Sequence, residues 1–285
     1  MSLRRFLLVL LGLAAGRSLV AQSESSTSWL DVYRHPAARL IAEATGDSFA
    51  WRRLALLTDT AGHRLSGTPQ LDKAIQWAMA EMKRDGLENV HSEPVMVPKW
   101  VRGRESAEIV EPARHPIAML GLGESVGTPA SGLQAEPLVV RSFDELDQNS
   151  AKAKGRIVVF NVPFTTYNES RPVRSNATTR AARYGGVAAL VRCIGPPGLR
   201  LPHTGSLTYT NGVAKIPGAA IATEDADRLQ GMSARGDKIV LRLQMEGHFE
   251  PDVESANVVG EIRGREKPDE FVVVGGHLDS WDVGA

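Results

Sequence analysis

The sequence contains a single cysteine, Cys193, among 285 residues, so no disulfide can form within the chain. It also lacks an excess of one charge: 33 Lys and Arg residues balance 33 Asp and Glu residues, and we expect neither nucleic acid nor an anionic membrane as a partner. Heptads and short-period repeats are absent, which excludes coiled coils and solenoids. These absences leave a globular protein of one large or two medium domains, stabilised by its core or by metal. Cys193 lies in an Ala- and Val-rich run and is expected to be a buried apolar residue rather than a nucleophile.

The N-terminal apolar stretch, residues 6–15, is too short to span a bilayer comfortably. Arg4 and Arg5 precede it and small residues follow it up to Ala21, which is the order of a secretory signal peptide. A buried N-terminal helix fits less well, because charges precede the run and polar residues follow it. We predict that residues 1–21 are removed and that the protein is exported, to the periplasm, the extracellular space or the secretory–lysosomal route according to its host.

The mature chain begins with helical periodicity and continues with strands. Helices are predicted where apolar residues recur at three- and four-residue spacings, over 29–45, 49–60 and 71–85, and strands over 90–97 and 107–110. Pro69 suits the first turn of the third helix, and Gly86 suits its C-terminal cap. One helical layer followed by strands indicates an α/β or α+β domain.

From about Pro116 the texture changes to short strands and helices separated by loops rich in Gly and Pro. The predicted strands are 137–141, 157–161, 187–192, 216–222 and 238–245, and the predicted helices are 178–184 and 224–234. The sequence therefore predicts a compact module over residues 116–251, inserted into a first domain made of residues 22–115 and 252–285. Because such a module folds as a unit, its two ends are expected to lie close together.

The last apolar run, in "EFVVVGGHLDSWD" (270–282), ends in paired glycines, a histidine and an aspartate. A continuous apolar run is typical of a strand buried on both faces of a mainly parallel sheet, and ligands gather outside the carboxyl ends of such strands. His277 is placed there as a candidate zinc ligand, and Asp279 could fix its tautomer and orientation. From the residues alone, a capping aspartate beside a polar histidine explains the pair equally well.

The segment "GGHLDSWDVG" closely resembles the one that carries the first metal ligand in the zinc aminopeptidase and glutamate carboxypeptidase family. The resemblance extends over nearly the whole mature chain through "LALLTDTAGHRLSGTPQ", "AMLGLGESVGTP", "GRIVVFN", "PHTGSLTYTNGVAKIPGAAI" and "ESANVVGEI". It implies an α/β fold, a zinc-exopeptidase-like mixed-sheet domain interrupted by a protease-associated α/β module over 116–251. His277 then corresponds to a zinc ligand and Asp279 to the acidic residue that orients it, in a site for two zinc ions.

The resemblance further implies metal-assisted hydrolysis of dipeptides or short peptides by an exopeptidase of the carboxypeptidase or dipeptidase type, a homodimer when complete. The family's other groups are a bridging aspartate, a Glu–Glu pair that includes the general base, a further aspartate and a histidine. They lie beyond Ala285, so this chain would supply one of about five metal ligands. We therefore expect an N-terminal portion that is inactive alone. The alternative is a non-catalytic binding or interaction protein built on the protease-associated module.

Three further motifs carry weaker signals. "GLGESVG" at 121–127 lacks the third glycine of a dinucleotide-binding loop, and a turn at the domain junction explains it better. The loop of His63 and Arg64 lies beside the catalytic cleft in the family it resembles, but glycines that merely shape a turn explain it equally well, so neither residue is assigned a role. Asn168 and Asn176 begin glycosylation sequences, which carry glycans only if the host's secretory route has that machinery.

Overall fold

The computed structural model describes residues 28–284, and the predicted signal peptide, 1–21, lies outside this part of the chain. The chain divides into two compact units, one up to Ala55 and one from Leu56 onwards. The helices are α1 (Asp31–Gly46), α2 (Phe49–Ala61), α3 (Pro69–Arg84), α4 (Phe143–Gln148), α5 (Tyr167–Arg183) and α6 (Thr223–Ala234). The strands are β1 (Glu88–Val101), β2 (Glu105–Glu111), β3 (His115–Ile117), β4 (Met119–Gly121), β5 (Leu133–Ala135), β6 (Pro137–Val140), β7 (Ile157–Phe160), β8 (Ala188–Arg192), β9 (Gly218–Ile221), β10 (Val240–Met245) and β11 (His248–Glu261). Within residues 28–284, no helix is long and apolar enough to cross a membrane.

The first three predicted helices are confirmed as α1, α2 and α3, with ends that differ by at most two residues. α3 begins where the Thr68 hydroxyl accepts a hydrogen bond from the Leu71 N–H, and Pro69 occupies its first turn as predicted. It ends at Arg84, and Gly86, predicted to serve its C-terminal cap, follows with a φ of +81°, a conformation that suits glycine. The apolar face of α3 packs against the end of α2 in a small core made of Ala61, Leu71, Ala74 and Ile75.

Strands β1 and β11 form a long antiparallel ribbon. Their register runs from Glu88 opposite Glu261 to Val101 opposite His248. One face of β11 packs against the core between α2 and α3. The ribbon therefore joins the core of α3 and the end of α2 to the residues between its two strands, 102–247, here called the inserted segment.

The segment between the ribbon strands contains two sheets. β3, β2, β10 and β5 form, in that order, a four-stranded antiparallel sheet. β4, β9, β8, β7 and β6 form a five-stranded sheet in which β6 to β9 are parallel and β4 runs antiparallel at one edge. The predicted α/β class with mixed sheets is confirmed.

The five-stranded sheet is buried on both faces, and the sequence of β7 reflects this. Ile157 and Val159 point into a core shared with the four-stranded sheet and α6. Val158 and Phe160 point into a second core shared with α4 and α5. All four side chains are fully buried. A strand covered on both faces needs apolar residues at consecutive positions rather than at alternate ones.

The inserted segment begins and ends at neighbouring points, because Val101 pairs with His248. The boundary placed at Pro116 falls within the four-stranded sheet, since β2 precedes it and pairs with β10. At the other end, residues 248–250 pair with β1 in the ribbon. The division of the chain at 116 and 251 stays a prediction. Through its hydrogen bonds to β10, β2 belongs with the strands that follow position 116.

The predicted strand in "EFVVVGG" is wrong. Residues 262–284 contain no helix or strand, and the side chains of Val272, Val273 and Val274 are each 91% exposed. The physical reason is that a strand needs a neighbour for its N–H and C=O groups. Each described strand already pairs within one of the three sheets, and none of them runs beside this segment. Residues 271–274 therefore have the composition of a buried strand, but no described strand pairs with them.

Candidate functional site

The structure brings His277 and Asp279 together. His277 Nδ1 lies 2.8 Å from Asp279 Oδ1. Because a carboxylate only accepts hydrogen bonds, Nδ1 is the donor in this pair, and when the ring is neutral its free lone pair lies on Nε2. The side chain of His277 is 92% exposed, whereas that of Asp279 is 34% exposed. The pair therefore presents an oriented imidazole nitrogen to the outside, the arrangement that a metal-binding histidine needs.

A buried arginine from the loop between α2 and α3 holds the backbone on both sides of Asp279. Arg64 is only 5% exposed. Its Nε donates to the Leu278 carbonyl at 2.9 Å, and its backbone N–H donates to Ser280 Oγ at 2.9 Å. The Ser280 N–H returns a bond to the Arg64 carbonyl at 3.0 Å. Position 279 thus lies between two residues that Arg64 fixes.

The same loop also holds the carboxylate itself. Ser66 Oγ donates to Asp279 Oδ2 at 3.2 Å, so the two carboxylate oxygens have different partners. Leu278 packs against the core between α2 and α3. The orientation of Asp279 toward His277 is therefore set by a loop more than 200 residues earlier in the chain, at sequence separations of 213 to 216.

Three residues after Asp279, Asp282 forms an ion pair through two hydrogen bonds with Arg102, the residue that follows β1. Arg102 Nε lies 2.7 Å from Asp282 Oδ2, and Nη2 lies 2.8 Å from Oδ1. Arg102 is 8% exposed, and Glu105 approaches its Nη1 at 3.5 Å. Burial raises the pKa of Glu105 above its usual value, although Arg102 and the Gly121 N–H act in the opposite direction.

The glycine-rich loop at 121–127 receives the side chain of Trp281. A Cβ atom placed on Gly123 would lie 2.2 Å from the Trp281 ring, so no larger residue fits while the ring occupies this position. The resemblance of this loop to a nucleotide-binding loop is therefore incidental, because its central glycine makes room for an aromatic ring. Leu278, Ser280, Trp281 and Asp282 each have an anchor outside their own segment.

The chemistry available from the described residues is limited. Within residues 28–284, no group of three or more His, Cys, Asp or Glu side chains is arranged to hold a metal ion. An open concavity of about 790 Å³ lies along β2 and β10 beside Arg104, Glu105 and His248, and His277 is not among the residues that line it. A single oriented imidazole is one ligand of a metal site rather than a complete site.

The sequence led to His277 and Asp279 but missed the residues that position them. Arg64 is in a loop that was noted and given no role, and Ser66, Arg102 and Asp282 were not singled out. A buried arginine that bonds backbone carbonyls has no spacing signature in a sequence. His63, its neighbour, is exposed. The roles of His277 and Asp279 in metal binding stay predictions.

The chain has close relatives among known proteins, although no protein-family model matches it. Carboxypeptidase Q of Mus musculus is 43% identical over 288 residues, which cover 98% of this chain and 61% of that protein. Carboxypeptidase Q of Bos taurus is 44% identical over 284 residues, covering 96% of this chain and 60% of that protein. In structure, a peptidase M28 precursor from Shewanella amazonensis SB2B matches with a TM-score of 0.82 and 34% identity, covering 88% of this chain and 59% of that one.

Two features of these matches determine what they establish. The alignments with carboxypeptidase Q reach 96–98% of this chain, so they include the inserted segment. The chain spans only about three-fifths of the length of these relatives, 60–61%. Across this length, the chain is homologous to carboxypeptidase Q, with sequence identities of 42–48% over 82–98% of its residues.

Proposed function

We propose that this chain is part of a zinc-dependent exopeptidase of the carboxypeptidase or dipeptidase type, in which His277 supplies one metal ligand and Asp279 orients it. The observation that carries the proposal is the Nδ1–Oδ1 hydrogen bond of 2.8 Å, which leaves Nε2 of an exposed ring available. Homology to carboxypeptidase Q and a fold shared with a peptidase M28 precursor support the reaction class. The substrates we propose are dipeptides or short peptides.

The residues of this chain fit one part of such a site. Zinc, when bound, would act as a Lewis acid toward a peptide carbonyl. His277 would hold it through Nε2, and Asp279 would keep the ring in one tautomer and orientation. The complete enzyme would hold two zinc ions, act as an exported homodimer, and include the segment over 116–251 as a protease-associated module. The other metal ligands and the general base would come from residues that this chain does not contain.

The 285 residues alone should therefore bind zinc weakly and hydrolyse no dipeptide. The test is elemental analysis of the purified chain, together with a dipeptide hydrolysis assay with and without added zinc. His277→Ala should abolish the weak zinc uptake, whereas His203→Ala, which alters another exposed histidine, should leave it unchanged. Two tightly held zinc ions per chain with chelator-sensitive turnover would contradict this assignment of the ligands.

A second candidate function is a non-catalytic binding protein built on the inserted segment. It is favoured by one contrast: the inserted segment has two well-packed cores, while within residues 28–284 no group of three or more His, Cys, Asp or Glu side chains is arranged to hold a metal ion. Zinc uptake that is unaffected by His277→Ala would favour this second function. Uptake that depends on His277 and not on His203 would favour the peptidase.

A further inference from the structure

The pair His277 and Asp279 lies at the junction between an unsupported stretch and an anchored one. Before it, the side chains of residues 271–274 are 81–91% exposed and have no strand partner. After it, residues 278–282, here called the anchored segment, are all partly buried and held by side chains from distant parts of the chain. His277 is therefore not positioned by a β-strand before it. Its position depends on the anchored segment after it.

We propose that Arg64 is a positioning residue for the pair His277 and Asp279. The metal-binding role of the pair rests on the proposed function, and the role of Arg64 rests on the geometry. Arg64 forms its hydrogen bonds not with His277 or Asp279 but with the residues on both sides of Asp279, which it fixes. Since the backbone at 278 and 280 is held, the backbone of 279 and the direction of its carboxylate are held as well. Asp279 then sets the orientation of the imidazole.

The shape of the guanidinium is part of this argument. Nε donates to the Leu278 carbonyl and Nη1 donates to the Gly62 carbonyl at 2.6 Å, so one planar group joins the loop to the anchored segment. A lysine ammonium carries the same charge but not the planar fork, and it cannot replace both bonds in the same geometry. Charge alone therefore should not substitute for Arg64.

A purely structural role would give a different result from a positioning role. If Arg64 only stabilised its own loop, its removal would lower the overall free energy of unfolding and leave the hydrogen bond between His277 and Asp279 intact. If Arg64 positions the pair, its removal releases the anchored segment while the sheets of the inserted segment stay folded. The tautomer of His277 then becomes mixed, because the bond that selects Nδ1–H is lost.

The experiment compares Arg64→Lys and Arg64→Gln with the unaltered 285-residue chain and with Arg104→Gln. Arg104 is a matched control, an arginine close in sequence to Arg102 that bonds the carboxylate of Glu246 and is 91% exposed. Two signals are read at one fixed pH without metal: hydrogen–deuterium exchange of residues 278–282, and ¹⁵N chemical shifts of the His277 ring, assigned with His277→Ala. Zinc binding by the metal-free chain is measured separately.

Both Arg64 variants should show exchange about tenfold faster or more over residues 278–282, the change expected when a hydrogen bond from a charged group is lost. They should also show a mixed His277 tautomer, with exchange in β7 unchanged. Arg104→Gln should resemble the unaltered chain. Exchange and tautomer unchanged in both Arg64 variants would overturn the proposal.

If the Arg64 variants unfold, Ser280→Ala gives the decision, because it removes the acceptor of the Arg64 N–H and otherwise only the donor to the neighbouring Trp281 carbonyl. Faster exchange and a mixed tautomer in Ser280→Ala support the proposal, and no change overturns it. The two proposals fail separately. The Arg64 variants could lose the hydrogen bond between His277 and Asp279 while the unaltered chain shows no zinc binding that depends on His277. That result would support the positioning role and contradict the peptidase assignment.

Discussion

The stretches "IVVF" (Ile157–Phe160) and "FVVV" (271–274) have almost the same composition and lie in opposite environments. The first is β7, paired with β6 on one side and β8 on the other, and its four side chains are fully buried. The second has no strand partner, and its side chains are 81–91% exposed. The difference shows that an apolar, β-branched run gives a segment the capacity to form a strand, whereas neighbouring strands decide whether it does.

The candidate site lies next to the unpaired stretch, residues 271–274, and not in a sheet. His277 and Asp279 follow directly after the exposed stretch and are placed by side chains that lie far away in sequence. In the inserted segment, by contrast, order comes from extended cores on both sides of one sheet. A few hydrogen bonds from distant residues thus position the site, whereas many apolar contacts position β7.

The largest effect should come from the paired truncations Phe160→Ala and Phe271→Ala. Phe160 is fully buried and packs edge-to-face on Phe143 with ring centroids 5.5 Å apart. Its loss should lower the free energy of unfolding by about 3–5 kcal/mol, whereas Phe271→Ala should change it by less than about 0.5 kcal/mol. Urea unfolding followed by circular dichroism measures both. Equal effects would mean that residues 271–274 are buried in solution.

The same contrast explains what the sequence could predict. β7, β8 and β9 were predicted because buried parallel strands have continuous apolar runs bounded by turn residues. The identical signal at 271–274 gave a wrong strand, because a sequence pattern does not reveal whether a partner is present. α5 was predicted too short because Pro172, which lies inside it, and the polar residues around it conceal its first half.

At the site, chemistry was predictable and positioning was not. His277 and Asp279 stand two residues apart, and their side chains are of types that serve together in metal sites, so local sequence was enough to suggest the pair. Arg64 and Arg102 bond the neighbouring residues Leu278 and Asp282 across separations of 180 residues or more. Only the three-dimensional arrangement shows that such residues meet.

The next effect concerns Gly123, at the contact between the inserted segment and Trp281. Gly123→Ala should cost about 1–3 kcal/mol by overpacking, because its Cβ would lie 2.2 Å from the ring. Gly231→Ala is the control, since the nearest atom to a Cβ there is 3.5 Å away, at the end of the flexible Arg235 side chain. In a double-mutant cycle, Trp281→Ala should remove most of the penalty of Gly123→Ala. Additive effects would place the ring elsewhere.

A similar or smaller effect is expected at the ion pair of Arg102 and Asp282. Asp282→Asn should lower the free energy of unfolding by about 1–3 kcal/mol, because Arg102 is buried and its only remaining charged partner would be the more distant carboxylate of Glu105. Asp237→Asn breaks a pair with a far more exposed arginine, Arg235, and should cost less than about 1 kcal/mol. Chemical denaturation measures both variants. Equal costs would show that the burial of Arg102 adds nothing to the strength of its pair.

The smallest expected effect is a pH dependence in a second irregular loop, which, unlike residues 271–274, is held by hydrogen bonds. Gly198 lies in a loop without regular structure, yet its N–H donates to Glu224 Oε1 at 2.6 Å. The backbone N–H groups of Glu224 and Gly198, and then the Thr223 hydroxyl, favour the charged carboxylate and lower the pKa of Glu224 from 4.5 to about 2. Like the anchored segment, this loop is held by polar bonds rather than by a core.

The sign of the pH dependence follows from the direction of this shift. Because the folded-state pKa lies below the unfolded value of 4.5, the stabilisation by Glu224 is fully present above pH 4.5 and is lost as the pH falls toward about 2. An NMR titration of the Glu224 side-chain carboxyl should therefore find a midpoint near 2, and protection of the Gly198 amide from exchange should fall over the same interval. Glu224→Gln should lack that protection at every pH, which assigns it to the carboxylate. A midpoint near 4.5, with Gly198 equally protected in both proteins, would mean that the Glu224 carboxylate does not hold this loop, and that the likeness to the anchored segment fails.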